Sequence, residues 1–336
     1  MSKFSLDVLQ KRVFPFVKNS DPDVILGSAF GEDVALTRVG DDILASHVDP
    51  IIGAIGKLGW LAVHVACNDI AASGIAPRWI LSLVLVPQQE DEELLEEIMR
   101  DVSSAAQEIN ASVIGGHTGY SSGISRPLVS VTALGTASGR EPVKTGGACV
   151  GDHVLITKGI ALEGTSILAQ DFVDVAQELG INEQELADAR KLMDEVSVVP
   201  EALALSAHGV TAMHDVTRGG ILETLMEIAY LSEVSIEIDA SKIPVRNIVS
   251  CFARAFRFDP LRMISSGALA ATVSPGRVND VSNALKDLGI PFAFVGHVTE
   301  GHGVYILREG DTIHYNDIRC EEDELARMWA LYPRNK

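Results

Sequence analysis

The chain has 336 residues and a formal net charge of −19, with 47% hydrophobic and 22% charged residues. This length and apolar content predict two well-packed globular domains, and no apolar run approaches the roughly 20 residues that cross a bilayer. The acidic balance and the lack of a basic cluster argue against nucleic acid as a partner. Any bound polyphosphate is therefore expected to arrive with Mg²⁺, which bridges phosphates to protein carboxylates.

The compartment is predicted from the cysteines and from the N-terminal segment. The four cysteines, at positions 67, 149, 251 and 320, stand singly without a CxxC pair, as is typical of reduced thiols in a cytosol. The N-terminal stretch MSKFSLDVLQKRVFPFV is amphipathic and has no signal-peptide core. We therefore expect a cytoplasmic protein that does not bind membranes.

The first half of the chain begins with a predicted hairpin. A glycine-containing turn at residues 27–33 leads into the strand VALTRV, and a second turn leads into ILASHVD. The apolar stretch WLAVHVACNDIAASGIAP, residues 60–77, predicts a tightly packed helix. The strand WILSLVLVP, an acidic amphipathic helix from about 91 to 110, and the strands SVIGG and PLVSVTALGTAS complete this half.

The second half alternates strands and helices without a simple repeat. Glycines at positions 146, 147 and 151 mark the boundary, so the predicted domains are residues 1–146 and 147–336. Helices are expected over residues 163–179, 183–194, 200–208 and 278–288, and the turn at 213–220 leads into the helix ILETLMEIAYLS. The pattern indicates an α/β architecture.

A carboxylate lies in the middle of the most apolar predicted helix. An ionised carboxylate in such surroundings is costly unless it is paired, hydrogen-bonded or bound to a metal. Asp69 therefore needs a partner. A helix cap or a structural salt bridge remains as open an interpretation as a functional site.

Four acidic motifs are typical of a magnesium site when they are taken together. They are Gly31-Glu32-Asp33, Ser46-His47-Val48-Asp49, Asn68-Asp69 and the stretch from His214 to Gly220. Hard oxygen ligands of this kind suit Mg²⁺. Each motif alone could be an ordinary turn or cap. In combination they predict a site at a cleft.

Three glycine-rich motifs are candidate phosphate contacts. Gly115-Gly116-His117-Thr118 follows an apolar strand but is not a Walker A loop, and His117 could equally be a core histidine. Arg218 precedes Gly219-Gly220 at a helix start, where it could hold a phosphate or simply pair with Asp215. Lys158 stands in a third such turn, where it could reach a phosphate or be solvated.

Taken in order, the motifs resemble those of one superfamily. GED, HVD, AVHVACNDIAASG, IGGHTG, RPLVSVTALG, GDHVLITKG, MHDVTRGG and IEIDASKIPV, spread over about residues 25 to 300, resemble the aminoimidazole-ribonucleotide (AIR) synthetase superfamily. It also contains HypE-type hydrogenase-maturation proteins, selenophosphate synthetases and thiamine-phosphate kinases. DVTRGG and EIDASKIPVR are most similar to the HypE-like branch.

The resemblance implies a two-domain PurM-like α/β fold, whose N-terminal sheets form a barrel across a homodimer, with ATP and Mg²⁺ held between the domains. It implies three sets of site residues. The metal carboxylates would be Asp33, Asp69 and Asp215. The cofactor-binding residues would be Gly31, Asp49, Asn68, Gly115, Gly116, His117, Thr118 and Lys158. The catalytic residues would be Asp215, Thr217 and Arg218.

The sequence also departs from the better-known branches. Its last cysteine is Cys320, whereas HypE proper ends in a cysteine; His117 replaces an aspartate of the thiamine-phosphate kinases; and Ser265-Ser266-Gly267 stands where HypE proteins read Asn-Glu-Gly. We expect ATP-dependent γ-phosphoryl transfer to an oxygen of a small molecule or a carboxamide-like group, which a partner protein could deliver. A non-catalytic homologue and a HypE-type protein are the alternatives, and no general base stands out.

Overall fold

The computed structural model describes residues 4–17, 20–52, 56–317 and 323–332. Its helices in this part of the chain are α1 (Leu6–Arg12), α2 (Leu58–Ala72), α3 (Glu92–Glu108), α4 (Leu162–Asp171), α5 (Val173–Glu178), α6 (Glu183–Arg190), α7 (Val199–Ala207), α8 (Gly220–Ser232), α9 (Asn247–Phe256), α10 (Val278–Asp287) and α11 (Glu324–Leu331). Within the described ranges, none of these helices is long and apolar enough to cross a membrane.

The first half of the chain forms a six-stranded sheet. Its strands are β1 (Val24–Leu26), β2 (Ala35–Val39), β3 (Asp42–Ile52), β4 (Trp79–Val86), β5 (Ser112–Tyr120) and β6 (Leu128–Thr136), in the order β1-β2-β3-β6-β4-β5. All neighbours are antiparallel except β4 and β5. Alternate residues of β6, including Val129 and Val131, face the core, as expected of a sheet with one buried face.

The second half forms a seven-stranded sheet. Its strands are β7 (His153–Thr157), β8 (Ala212–Asp215), β9 (Ser235–Asp239), β10 (Leu269–Val273), β11 (Phe292–Thr299), β12 (Gly303–Arg308) and β13 (Asp311–Tyr315), in the order β13-β12-β9-β11-β7-β10-β8. Every pair is antiparallel except β9 with β12. The expected two-sheet α/β architecture is confirmed, while the boundary after residue 146, which falls between the sheets, stays a prediction.

Helix α2 lies between the two halves and is buried along its whole length. It packs on β3 and β6 of the first sheet and on α7 and β8 of the second half. A helix that is apolar on all sides is expected in such a central position. One core cluster accordingly joins Ile70 and Val131 to Leu155 and Leu269 of the second sheet. The halves thus share an apolar interior, and polar residues on α2 are held rigidly.

The predicted single helix over residues 163–179 is wrong, because the structure divides it into α4 and α5. The break is at Phe172, whose backbone has φ −123° and ψ 37°. Its ring is buried against Trp329 on α11, with 4.6 Å between ring centroids. The residue that interrupts the predicted helix is thus the one whose ring packs against α11.

Candidate functional site

Three buried carboxylates converge from three different elements. Asp33 lies just before β2, Asp69 lies in the fourth turn of α2, and Asp215 is the last residue of β8. Asp33, Asp215 and His214 offer ligand atoms within 4.8 Å of one another. Asp69 lies close enough to them that, after burial, the charges of Asp215 and Asp33 are the next causes that raise its pKa. The three predicted metal carboxylates are therefore brought together by the fold.

His214 holds this acidic cluster in place. Its Nδ1 lies 2.8 Å from Asp33 Oδ1, and its Nε2 lies 2.8 Å from Glu227 Oε2 on α8. Burial alone would lower the pKa of His214, but the charge of Asp33 and the contacts with Asp215 and Glu227 outweigh it and raise that pKa well above the usual range. A protonated His214 offsets part of the negative charge, as a nearby cation does.

The carboxylate oxygens of the cluster fit a hard cation. Among the described residues, Asp33 Oδ2 and both oxygens of Asp215 are buried without a hydrogen-bond partner. Buried acceptors are normally satisfied, so such oxygens require an explanation. A divalent ion such as Mg²⁺ takes carboxylate oxygens as ligands and would satisfy them. The donor set present here therefore fits the metal that the sequence predicts.

The pKa values of the carboxyl groups reflect both their burial and the negative charges of their neighbours. Burial raises the pKa of Asp33 to about 7; His214 opposes this rise, and Asp215 and Glu227 add to it. Burial, followed by the charges of Asp215, Asp33 and Asp49, raises the pKa of Asp69 well above its usual range. Perturbed groups of this kind cluster at functional sites.

Two cavities meet at the cluster. We name each cavity after one of the residues that line it. The Trp329 cavity has a volume of about 540 Å³, and the Phe30 cavity has a volume of about 400 Å³. His47, Asp69 and Thr217 line both of them. A group bound in one cavity can therefore meet a group bound in the other beside these shared residues.

The Phe30 cavity combines an apolar end with the polar cluster. Leu9, Val13, Phe14 and Phe30 line it together with the predicted residue Gly31. Gly31 has a φ of +77°, and a side chain there would press on Glu227 at 3.2 Å. The backbone thus approaches the acidic cluster closely at a position where glycine is favoured.

The Trp329 cavity contains the predicted residues Asp49, Thr217 and Arg218. Thr217 and Arg218 lie in the turn between β8 and α8. This turn depends on Gly220, since its φ is +66° and a Cβ would lie 2.5 Å from the Leu261 carbonyl oxygen. Arg218 has not formed an ion pair with Asp215, which was one of the interpretations left open by the sequence.

Asn68 and Lys158, both predicted to bind the nucleotide, have partners inside the protein. Asn68 donates through Nδ2 to Val196 O at 2.7 Å and accepts from Val198 N at 2.8 Å, so its amide joins α2 to the second half. Lys158 Nζ donates to the carbonyl oxygens of Glu195 and Ser197 and lies 2.8 Å from Glu201 Oε1. Neither residue lines the two cavities, because their polar groups are already used inside the protein.

Gly115 to Thr118 lie away from both cavities. They belong to β5, the edge strand of the first sheet, where their side chains are exposed. At Gly116 a Cβ would lie 2.0 Å from Ser82 O on β4. Close strand pairing therefore explains this glycine, and a phosphate contact from these residues would have to serve a second copy of the chain.

Two residues at the site were missed by the sequence analysis as functional candidates. His47 donates through Nδ1 to Asp33 O at 2.5 Å and places Nε2 3.4 Å from Asp69 Oδ2. Glu163, in the first turn of α4, lines the Trp329 cavity although it is almost fully buried. Burial raises its pKa to about 7; hydrogen bonds from Ser266 and the charge of Arg218 oppose this rise, and Asp323 adds to it.

A sequence signal exists for only one of the two. His47 lies two residues before Asp49 on a strand, so that the two side chains share one face. Glu163, by contrast, has the position of an ordinary helix-start acid. Its burial depends on residues far along the chain and could not be read from its neighbours.

The fold and site define a two-sheet α/β protein with a buried acidic cluster formed by residues of both halves of the chain. The family model "AIR synthase related protein, N-terminal domain" matches residues 31–137, and "AIR synthase related protein, C-terminal domain" matches residues 150–308. The chain therefore belongs to the AIR synthase related family. The resemblance stated from the motifs is confirmed.

The sequence is similar to characterised family members. It is 28% identical over 266 residues to carbamoyl dehydratase HypE of Rhizobium leguminosarum bv. viciae, covering 77% of this chain and 73% of the relative. It is 27% identical over 251 residues to selenide, water dikinase of Clostridioides difficile, covering 73% and 68%. These relatives are named as enzymes, and the prediction of an enzyme class is confirmed.

Solved structures show the same fold. A chain of the HypE–HypF complex superposes with a TM-score of 0.76 at 21% identity, covering 92% of this chain and 99% of that one. AaThiL complexed with AMPPCP and TMP gives a TM-score of 0.70 at 20% identity, covering 87% and 91%. The predicted PurM-like architecture, shared with HypE and ThiL, is thereby confirmed.

Proposed function

We propose that this protein is an ATP- and Mg²⁺-dependent enzyme that transfers the γ-phosphoryl group to an oxygen of a small molecule or a carboxamide-like group. The observation that carries this proposal is that two cavities meet at Asp69, which lies in one buried acidic cluster with Asp33 and Asp215. Donor and acceptor need to approach in line for phosphoryl transfer, and two cavities that share one polar junction provide that arrangement.

The Phe30 cavity is the proposed nucleotide site. Its apolar side chains, Leu9, Val13, Phe14 and Phe30, offer a surface for a planar base. Its other end leads to Gly31 and Asp33, where the phosphates would lie next to the metal carboxylates. The structure of AaThiL with AMPPCP shows that a similar fold takes an ATP analogue.

Asp33, Asp69 and Asp215 would hold the magnesium ion, and His47 and His214 would fix their orientation. When bound, Mg²⁺ supplies neutralisation of the charge on the transferring phosphate. The chain's own contribution is chiefly positioning, which accounts for a large share of the barrier in such reactions. Thr217 and Arg218 lie beside the junction, where they would orient the transferring group or the acceptor.

Glu163 is the proposed proton acceptor, since it lines the Trp329 cavity and has a pKa of about 7. The acceptor oxygen forms a bond to the γ-phosphorus, the bond from that phosphorus to the β-phosphate oxygen breaks, and ADP leaves. When the acceptor is a hydroxyl group, its proton passes to the Glu163 carboxylate; when it is a carboxamide, the proton passes from the amide nitrogen. A base that titrates near neutral pH is well matched to this step.

The proposal predicts Mg²⁺-dependent release of ADP from ATP, with water as the default acceptor. The rate is expected to rise as the pH passes through about 7, because Glu163 must be deprotonated to act as the base. With Mg²⁺ saturating, so that Asp33 stays deprotonated, Glu163→Gln is expected to lower the rate by about a hundredfold and to remove this dependence. The measurement is steady-state ADP release between pH 5.5 and 8.5. Binding of ATP without any release would favour the non-catalytic alternative.

A HypE-type carbamoyl dehydratase is a second candidate function, because named relatives include that enzyme. In that case the acceptor would be a carbamoyl group, and a partner protein could deliver it, as the HypE–HypF complex suggests. Cys320, the last cysteine, lies outside the described residues. Both candidates use the same metal and nucleotide site.

We further propose a homodimer that pairs through the first sheet. Its edge strand β5 is exposed along its length and carries the apolar side chains of Val113, Ile114 and Tyr120. Long exposed apolar edges normally have a partner. Pairing of two such sheets would form the expected barrel and would place Gly115 to Thr118 near the second copy.

Ile114→Lys is expected to convert the dimer into a monomer, since the Ile114 side chain is 55% exposed on this edge and a charge there would be buried on pairing. Light scattering coupled to size-exclusion chromatography measures the mass. Ile313→Lys is the matched control, because Ile313 is 40% exposed on β13 at the edge of the other sheet. An unchanged dimer in Ile114→Lys would contradict pairing through β5.

A further inference from the structure

The Trp329 cavity has an apolar wall and a charged wall. Ile264, Leu325 and Trp329 are among its apolar side chains, and Arg126, Glu163 and Arg218 are among its charged ones. Its volume of about 540 Å³ is in the range of small-molecule sites. Such sites combine an apolar surface with a few polar groups that fix the orientation of a ligand.

Five carboxylates line this cavity, those of Asp49, Asp69, Glu163, Asp171 and Asp323, and two of them are engaged by the backbone. Asp323 Oδ2 accepts from Gly219 N at 3.0 Å, and its Oδ1 accepts from Ala326 N at 3.1 Å at the start of α11. Glu163 Oε2 accepts from Ser266 N at 3.3 Å. These carboxylates therefore have structural partners independent of any ligand.

The two arginines of the cavity differ in this respect. Within the residues that the structure describes, no carboxylate lies within ion-pair distance of the guanidinium of Arg126 or of Arg218. Arg126 lies over the ring of Trp329, 5.2 Å from its centroid, and Arg218 is near enough to Glu163 to influence its pKa. In a chain with 46 acidic and 27 basic residues, two half-buried guanidiniums without acidic partners leave forked donors for an anion.

From this arrangement we infer that the Trp329 cavity takes a small anionic acceptor. Its carboxylate or phosphate group would be held by Arg126 and Arg218, and its apolar part would pack on Trp329. The reacting oxygen of this molecule would lie between Glu163 and the junction at Asp69 and Thr217, where the two cavities meet. This inference rests on the proposed function and narrows its acceptor to one chemical class.

The competing explanation is that the arginines serve the phosphates of the nucleotide. The two explanations differ in their response to the metal and to the nucleotide. An acceptor anion held by the arginines should bind without Mg²⁺, whereas nucleotide phosphates need Mg²⁺ because the carboxylate cluster repels them. An acceptor site also remains available when the Phe30 cavity is filled, whereas a nucleotide phosphate site does not.

The test is calorimetric titration of the full chain with phenyl phosphate, benzoate and benzyl alcohol in EDTA, repeated with saturating Mg²⁺ and AMPPCP. We expect at least one of the two anions to bind with a Kd of about 1 mM or lower and benzyl alcohol to bind about tenfold more weakly. Binding of phenyl phosphate alone would assign a phosphate-bearing acceptor. Binding of benzoate alone would assign a carboxylate-bearing one.

Arg126→Ala and Arg126→Gln are both expected to weaken anion binding about tenfold while binding of Mg²⁺ with AMPPCP stays unchanged. The glutamine variant retains a polar group over Trp329 if alanine disturbs α11. Arg140→Ala, on an exposed loop, is the control and should bind as the wild type does.

Three results would overturn the inference: equal binding of benzyl alcohol and the anions, no binding of either anion, or displacement of the bound anion by Mg²⁺ with AMPPCP. The last would assign the arginines to the nucleotide. If the wild type does not bind AMPPCP with Mg²⁺ but still binds the anion, the proposed function is overturned and only the anion site remains.

Discussion

Asp215→Asn is expected to stabilise the metal-free protein and to abolish its further stabilisation by Mg²⁺ with AMPPCP. Asp215 is fully buried, and the structure gives its carboxylate oxygens no hydrogen-bond partner among the described residues. Its charge also raises the pKa values of Asp69 and Asp33. Removal of that charge relieves repulsion within the cluster, but it also removes a proposed metal ligand.

The sign of the pH dependence follows from the raised pKa of Asp33. Burial, opposed by His214 and supported by Asp215 and Glu227, raises this pKa from 3.8 to about 7. Stability contributed by the protonated group is complete below about pH 4 and is lost as the pH rises through about 7. The metal-free wild type is thus expected to be less stable at pH 8 than at pH 5.5. Mg²⁺ should reverse this difference, because it binds the deprotonated carboxylates.

The measurement is thermal unfolding at both pH values, with and without Mg²⁺ and AMPPCP. At pH 8 we expect Asp215→Asn to increase the free energy of unfolding of the metal-free protein by about 1 to 2 kcal/mol, since one pKa unit corresponds to about 1.4 kcal/mol. Asp41→Asn, an exposed change near the same sheet, is the control. A variant that still gains stability from Mg²⁺ with AMPPCP would exclude Asp215 as a metal ligand.

Lys158→Met is expected to destabilise the fold strongly without changing ATP affinity in the folded protein. The Lys158 ammonium satisfies two carbonyl oxygens and pairs with Glu201, which is 1% exposed. Removal of one partner of a buried ion pair typically costs about 3 to 5 kcal/mol, because the other charge stays buried without compensation.

The double variant Lys158→Met with Glu201→Leu provides the control. It removes both charges together, so most of the stability is expected to return. Chemical denaturation of the three proteins measures these differences, and calorimetry measures ATP affinity. A Lys158→Met protein with wild-type stability and weakened ATP binding would support the phosphate contact that was predicted from the sequence.

The sequence singled out the three carboxylates that the fold brings together, and it did so for a physical reason. Asp33, Asp69 and Asp215 each stand beside glycine or in an apolar element, where a carboxylate is costly without a partner. That argument needs only the local sequence. The distances within the cluster depend on how β2, α2 and β8 pack, and they required the structure.

Lys158 and Asn68 have partners that a local sequence pattern does not reveal. Both residues have polar groups that could bind a nucleotide, but their partners lie in the segment from Glu195 to Glu201, which the fold alone brings near. Glu163 shows the opposite case. Its position at a helix start suggests a solvated acid, whereas packing against Ser266 and α11 places it in a cavity.

The most direct test of the central claim is calorimetric titration of the wild type and Asp69→Asn with ATP, with and without Mg²⁺. The site proposed here predicts micromolar ATP binding that requires Mg²⁺ and is lost in Asp69→Asn, while the control Asp41→Asn binds as the wild type does. Wild-type binding weaker than about millimolar, which corresponds to roughly −4 kcal/mol, or binding unaffected by Asp69→Asn, would contradict a magnesium–nucleotide site at these carboxylates.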